Sequence, residues 1–446
     1  MQAREDAAHR GSGILELTAN ARAVARASAR NYICDDLFDN LRMNPLLKLL
    51  QPYPFERLRR LHADITPNPQ LRPISLGIGE PRHATPELIG QALLASLPRL
   101  SHYPATAGEP ALKQSMARWL ERRYAITVDP ATEILPVNGS REALFSLAQT
   151  VIDPSRPATV VVPNPFYQIY EGAALLAGAQ LHYAPSLPQR NFGVHWAAVP
   201  SEVWQNTQLL FVCSPGNPAG AVMGLDEWRQ VFELSDRHGF VIASDECYSE
   251  IYFRDEPPLG ALEAATRLGR SRFERLISLT SLSKRSNAPG LRSGFVAGDA
   301  NILKAFTLYR TYHGSAMSPV VQAASQAAWD DEAHVQLNRQ LYREKFARVT
   351  PVLQQVMEVA LPDAGFYLWA QVPEAFGGSD TEFSRQLLAQ YNVVVLPGSY
   401  LAREAPGHDG QPFNPGAGRV RMALVAETAE CLEAAERIVQ FIESKK

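Results

Sequence analysis

Between about residues 83 and 320, short apolar runs alternate with stretches of helical periodicity, and this alternation constrains the fold more than any other feature of the chain. The runs fall at 134–137, 159–162, 181–183, 209–213, 241–243, 276–279 and 295–297. Several hold no polar residue, as expected for strands covered on both faces. Helical patterns such as 142–151 and 225–237 separate many of them. The implied fold class is α/β, with a mostly parallel sheet. The polar residues collect where the runs end: Asn138-Gly139-Ser140, Pro163-Asn164-Pro165, Ser214-Pro215-Gly216-Asn217-Pro218, Asp245-Glu246 and Ser281-Leu282-Ser283-Lys284. Open parallel sheets bind ligands beyond the carboxyl ends of their strands. Five such ends on one rim point to a ligand seated there.

The chain has 446 residues, 46% of them hydrophobic, enough for a large and a small domain each with its own core. The expected division is a large domain over residues 83–320 and a smaller α+β domain over 321–446, with 43–82 joining the latter. A long helical stretch at 335–356 and short strands near 365–370 and 393–396 mark the smaller domain. Residues 1–42 are expected to be a dispensable extension, disordered or a mis-start, since the text changes character at Met43. A net charge of -3 supplies no field for nucleic acid or an anionic membrane. No apolar run is long enough to span a bilayer. Cys34, Cys213, Cys247 and Cys431 match no zinc or disulfide spacing, so the expectation is a reduced, cytoplasmic protein without a structural metal. The turn Leu76-Gly77-Ile78-Gly79-Glu80-Pro81 lacks the third glycine of a dinucleotide loop and runs into proline, which excludes that reading.

Lys284 follows a buried run and is flanked by Ser281 and Ser283, with Arg292 downstream. A lone lysine is ordinarily a solvated charge. In a rim pocket its ammonium is desolvated, its pKa falls from about 10.4, and the amine becomes able to attack a carbonyl. The serine hydroxyls and Arg292 are what a phosphate needs nearby. Gly139-Ser140-Arg141 opens a helix, whose N–H groups and dipole suit the same anion; a plain capping serine is the bland alternative.

The lysine segment, Ser281-Leu282-Ser283-Lys284 through Arg292-Ser293-Gly294, resembles the class I/II aminotransferases, the fold-type I enzymes of pyridoxal 5′-phosphate. Other positions match the family pattern in order. The resemblance implies that Lys284 carries the cofactor and moves the substrate proton. Asp245 would face the pyridine nitrogen, although alone it reads rather as a helix-capping aspartate. Tyr248 and Asn217 would bond the ring phenolate oxygen, and Tyr167 would stack on the ring. Gly139, Ser140, Arg141, Ser281, Ser283 and Arg292 would serve the phosphate. Arg421, in Arg419-Val420-Arg421, would clamp the substrate α-carboxylate, with Arg419 expected on the other strand face. Asn217 and the Gly79 backbone would assist that clamp. Tyr103, in His102-Tyr103-Pro104, would reach the phosphate of a neighbouring subunit, which implies a homodimer with shared sites.

Within the family, Met43-Asn44-Pro45-Leu46-Leu47, Pro52-Tyr53-Pro54-Phe55, residues 76–81 and 102–104 are similar to the bacterial N-succinyldiaminopimelate aminotransferases. That resemblance implies a ping-pong exchange between N-succinyl-LL-2,6-diaminopimelate and 2-oxoglutarate, in lysine and diaminopimelate biosynthesis. The partners are then a small amino donor and a 2-oxo acid. The rivals are an aspartate, aromatic or acetylornithine aminotransferase and a lyase on the same fold. A cofactor-dependent transcription regulator is disfavoured by the absence of a DNA-binding domain.

Overall fold

All seven apolar runs form one sheet. The computed structural model describes residues 43–270, 272–406 and 411–445; the expectations for residues 1–42 lie outside them. After a two-residue strand β1 (Ile74–Ser75) come β2 (Ile134–Val137), β3 (Thr159–Asn164), β4 (Gln180–Pro185), β5 (Thr207–Cys213), β6 (Val241–Asp245), β7 (Leu276–Ser281) and β8 (Gly294–Gly298). Their order across the sheet is β2-β8-β7-β6-β5-β3-β4, with only β8 antiparallel to its neighbours.

Successive strand residues divide between two cores, as a period of two requires. Leu209, Phe211, Ala243, Ile277 and Leu279 pack on one face with the helices Ser140–Val151 and Ile169–Leu176. Leu210, Val212, Ile242 and Leu276 pack on the other with Pro110–Tyr124 and Leu225–His238. There Trp119, Phe295 and Trp329 meet with ring centroids 5.0–5.8 Å apart. Trp329 belongs to the helix Pro319–Asp330, whose Ala324 and Ala328 also join this core, so the expected boundary at residue 320 falls inside a helix that packs on the large sheet.

The later chain adds β9 (Tyr367–Gln371), β10 (Val393–Val394), β11 (Leu396–Pro397), the hairpin β12 (Ala405–Pro406) and β13 (Pro412–Phe413), and β14 (Arg419–Ala423). β11, β14 and β9 form an antiparallel sheet. The run at 393–396 is not one strand: β10 pairs in parallel with β1, while β11 turns to β14. The N-terminal segment is thereby joined to the C-terminal part. The helix Ala333–Leu353 buries Tyr342, Phe346, Val349 and Leu353, a helical spacing, against Phe383 and Ile438. By itself, the stretch ahead of Tyr53 holds the short helix Pro45–Leu49, capped by Asn44. Among the described residues no helix is long and apolar enough to cross a membrane, and no group of side chains is arranged to hold a metal.

Trp119 is 1% exposed. Trp119→Ala should lower unfolding free energy by ~3–5 kcal/mol, through lost transfer and an unfilled cavity. Denaturant titration measures it, and a loss below ~1 kcal/mol would mean the aromatic cluster is not a packed unit.

Candidate active site

The carboxyl ends of β5, β6 and β7 open into a cavity of about 550 Å³. Lys284 reaches it from a turn of only four residues, Leu282–Arg285. Ser281 caps that turn: its Oγ accepts from the Ser283 N–H (3.1 Å) and donates to the Ser293 carbonyl (3.0 Å). Arg285, 1% exposed, anchors the turn from below. It stacks on Trp329 at 4.8 Å and donates to the Ala328 carbonyl (2.7 Å) and Glu332 Oε1 (2.7 Å). Lys284 Nζ donates to the Gly79 carbonyl at 3.1 Å and lies 5.5 Å from the Phe366 ring centroid. Burial lowers its pKa from the usual lysine range to about 8, with the Arg421 and Arg141 charges adding to the effect and Cys247 and Glu80 opposing it.

Asp245, at the end of β6, is 5% exposed. It accepts from Tyr170 Oη (2.8 Å) and the Cys247 N–H (3.3 Å), yet burial still raises its carboxyl above the ordinary range. Among the described residues it has no ion-pair partner, so a cation entering the cavity beside it would be strongly favoured. Tyr248 Oη lies 3.0 Å from Tyr367 Oη.

Gly139 caps the helix Ser140–Val151, and Ser140 is its first residue. Gly139 has φ +86°, and a Cβ there would collide with the Arg292 guanidinium. The backbone and a fixed cation thus crowd around the first N–H groups of the helix, an anion cradle that only glycine permits. Ser283 and Arg292 line the same cavity. Arg292 donates to the Pro289 carbonyl (2.9 Å). Arg141 Nε donates to Tyr167 Oη (2.8 Å), which fixes that ring at the cavity wall.

Opposite lies Arg421, 3% exposed. Its Nη1 donates to Asn217 Oδ1 (3.0 Å) and its Nη2 to the Gly77 carbonyl (3.0 Å), and it sits 4.2 Å from the Tyr367 ring centroid. Its buried Nε has no partner. A held guanidinium with an unsatisfied donor is built for an anion. Arg419 does share the Arg421 face, because residues two apart on a strand must; it turns away instead against the Phe192 ring (4.9 Å) and toward Glu358 (3.7 Å). Gly79 is explained by Tyr367, whose hydroxyl fills the space a Cβ would take.

The structure thus gathers Lys284, Asp245, Tyr248, Asn217, Tyr167, Ser140, Arg141, Ser283, Arg292, Gly79 and Arg421 around one cavity. Three expected residues do not line it. Ser281 spends its hydroxyl on the cap, Gly139 acts behind Arg292, and Tyr103 is fully exposed. Tyr170, Cys247 and Tyr367 were not foreseen, since a buried tyrosine or cysteine reads as ordinary core.

A phosphate cradle, a buried carboxylate awaiting a cation and a lysine amine of lowered pKa fit the three ends of pyridoxal 5′-phosphate. The orphaned Arg421 Nε fits the carboxylate of an amino acid. A family model, aminotransferase class I and II, matches residues 72–438, and the chain belongs to that family. It is a pyridoxal-phosphate-dependent aminotransferase. It is 32% identical over 374 residues to the LL-diaminopimelate aminotransferase of Dehalococcoides mccartyi, covering 82% of this chain and 93% of that one. It is 32% identical over 396 residues to the enzyme of the same name from Desulforudis audaxviator, covering 88% and 96%. Among solved structures, an aminotransferase from Neisseria meningitidis Z2491 is 56% identical with a TM-score of 0.85, covering 90% of this chain and all of that one. The aminotransferase AspB from Helicobacter pylori 26695 is 34% identical with a TM-score of 0.80, covering 88% and 99%. The two diaminopimelate relatives are named for the free diamino acid, not for the N-succinyl derivative that the sequence resemblance implied.

An amine is nucleophilic only when deprotonated. In cofactor-free protein, labelling of Lys284 by an amine-specific reagent should therefore rise with pH with a midpoint near 8; a midpoint near ~10.4 would show an ordinary solvated lysine. Arg421→Ala should raise the amino-donor KM by ~10–100-fold, the worth of a charge-assisted hydrogen bond; an unchanged KM would remove Arg421 from the carboxylate site.

Proposed function

We propose that this aminotransferase exchanges an amino group between an LL-diaminopimelate donor, carried as its N-succinyl derivative, and 2-oxoglutarate. The observation that carries the diaminopimelate skeleton is the 32% identity, across 82–88% of the chain, to two enzymes named LL-diaminopimelate aminotransferases. The succinyl group rests on residues 43–55, 76–81 and 102–104, and on the charge left in the cavity. With Arg292 given to the phosphate and Arg421 to the α-carboxylate, the Arg141 guanidinium, expected at the phosphate but turned with its Nε onto Tyr167 Oη, is reassigned to a second carboxylate on the cavity lining. A succinyl tail and 2-oxoglutarate both end in a carboxylate, so one cation can serve both substrates in turn.

The geometry supports the following residue roles. Arg421, held by Asn217 and Gly77, grips the α-carboxylate and fixes the direction of the Cα–H bond. Pyridoxal phosphate, when bound, supplies the electron sink for the pair left as the α-proton departs. Asp245 would hold the ring nitrogen protonated. Lys284 Nζ would take the α-proton and return it, burial having already lowered its pKa to about 8. Donor and acceptor share Arg421, so they compete for one site. Tyr103, with exposed Leu94, Leu97 and Leu100 nearby, supports a homodimer in which that tyrosine serves the neighbouring cavity. A monomer fully active at assay concentration would refute it.

A donor panel with 2-oxoglutarate, read by glutamate formation, tests the substrate. The succinylated diamino acid should give the highest kcat/KM, with aspartate and phenylalanine lower by ~10⁴, since a site built for a polar tail is left unpaired without it. Preference for free LL-diaminopimelate would discard the succinyl group alone. Preference for aspartate or an aromatic amino acid would discard the whole substrate assignment.

A further inference from the structure

Lys284 stands on a turn too short to bond its own last carbonyls. The Lys284 and Arg285 carbonyl oxygens instead accept from Asn338 Nδ2, at 3.1 and 3.4 Å. Asn338, 3% exposed, belongs to the helix Ala333–Leu353 and does not line the cavity. Its Oδ1 is 3.0 Å from His83 Nδ1 and accepts from Asn287 Nδ2 at 3.0 Å. His83 Nε2 lies 3.0 Å from Nζ of Lys345, itself 1% exposed. An ammonium only donates, so Lys345 makes Nε2 the acceptor and leaves the proton on Nδ1, aimed at Asn338 Oδ1. Burial lowers the His83 pKa, and Lys345 lowers it further against the Asn338 bond, which favours that neutral ring. Every bond then points one way: Lys345 to His83, His83 to Asn338, Asn338 to the Lys284 carbonyl.

The same elements hold the other end of the lysine. His83 lies four residues after Gly79, whose carbonyl accepts from Lys284 Nζ. The His83 ring packs on Tyr342 (4.7 Å), Tyr342 on Phe366 (5.7 Å), and Phe366 lies 5.5 Å from Lys284 Nζ. We infer that Asn338 is a positioning residue for Lys284, held in one orientation by the Lys345–His83 pair, and that this relay sets where the catalytic amine sits. Asn338 touches neither substrate nor cofactor and acts through the main chain of the lysine turn.

The test replaces the donor while keeping the shape. In Asn338→Asp holoenzyme the side chain can still accept from His83 but faces two carbonyl oxygens with a carboxylate. Two quantities are read: the pH midpoint of the visible absorbance of the bound cofactor, and the single-turnover rate with the best donor of the wild type. The midpoint should move by about half a unit or more and the rate should fall ~10-fold or more, while donor KM stays within about threefold because Arg421 is untouched. Lys345→Met should change both in the same direction by a smaller factor. A midpoint within about 0.3 unit and a rate within about twofold of wild type in Asn338→Asp, even with a lowered melting temperature, would reduce the relay to plain packing. Should Asn338→Asp fail to fold, Lys345→Met decides on its own: no movement of either quantity overturns the inference.

Discussion

Removing the Lys284 ammonium from water costs more than any contact it makes, and much of the site follows from how that cost is met. The amine has one hydrogen bond, to the Gly79 carbonyl, and the face of Phe366. Neither neutralises a charge, so the amine lies closer to its neutral form than a surface lysine. The bond to Gly79 also ties the lysine turn to the N-terminal segment, which in turn pairs through β1 with β10. The same segment accepts from Arg421 Nη2 at the Gly77 carbonyl, so one desolvated amine couples the rim of the large sheet to β14, which carries Arg421.

Asp245 poses the complementary problem. Its carboxyl is raised by burial, as the lysine is lowered, and among the described residues neither finds an ion pair. Pairs of groups pushed toward neutrality in one cavity mark sites that wait for a ligand to complete them. Pyridoxal phosphate would bring a ring nitrogen to the carboxylate, a carbonyl to the amine and an anion to the cradle behind Arg292. The Arg421 guanidinium, whose buried Nε has no partner, would take a substrate carboxylate.

The sheet was legible because both its faces are covered, so its strands read as bare apolar runs, and their ends were legible because polar residues cluster only where the runs stop. Other features hinge on facts that a sequence does not carry. A serine near a phosphate site can cap a turn or meet the ligand, and Ser281 caps. The run at 393–396 is uniformly apolar, so nothing in it marks the point where β10 leaves β1 for β11 and β14. Arg419 and Arg421 share a strand face, and only the packing of Phe192 and Glu358 separates their roles. Tyr170 reads as a core aromatic until its hydroxyl is seen on Asp245. His83 and Asn338 lie 255 positions apart, a pairing that only folding creates.

The central claim is that the cofactor attaches to Lys284 and nowhere else. Borohydride reduction of the holoenzyme followed by peptide mass mapping tests it directly. The account predicts a single pyridoxyl adduct on the peptide containing Lys284. An adduct on Lys345 or another lysine, or none at all in catalytically active protein, would contradict it.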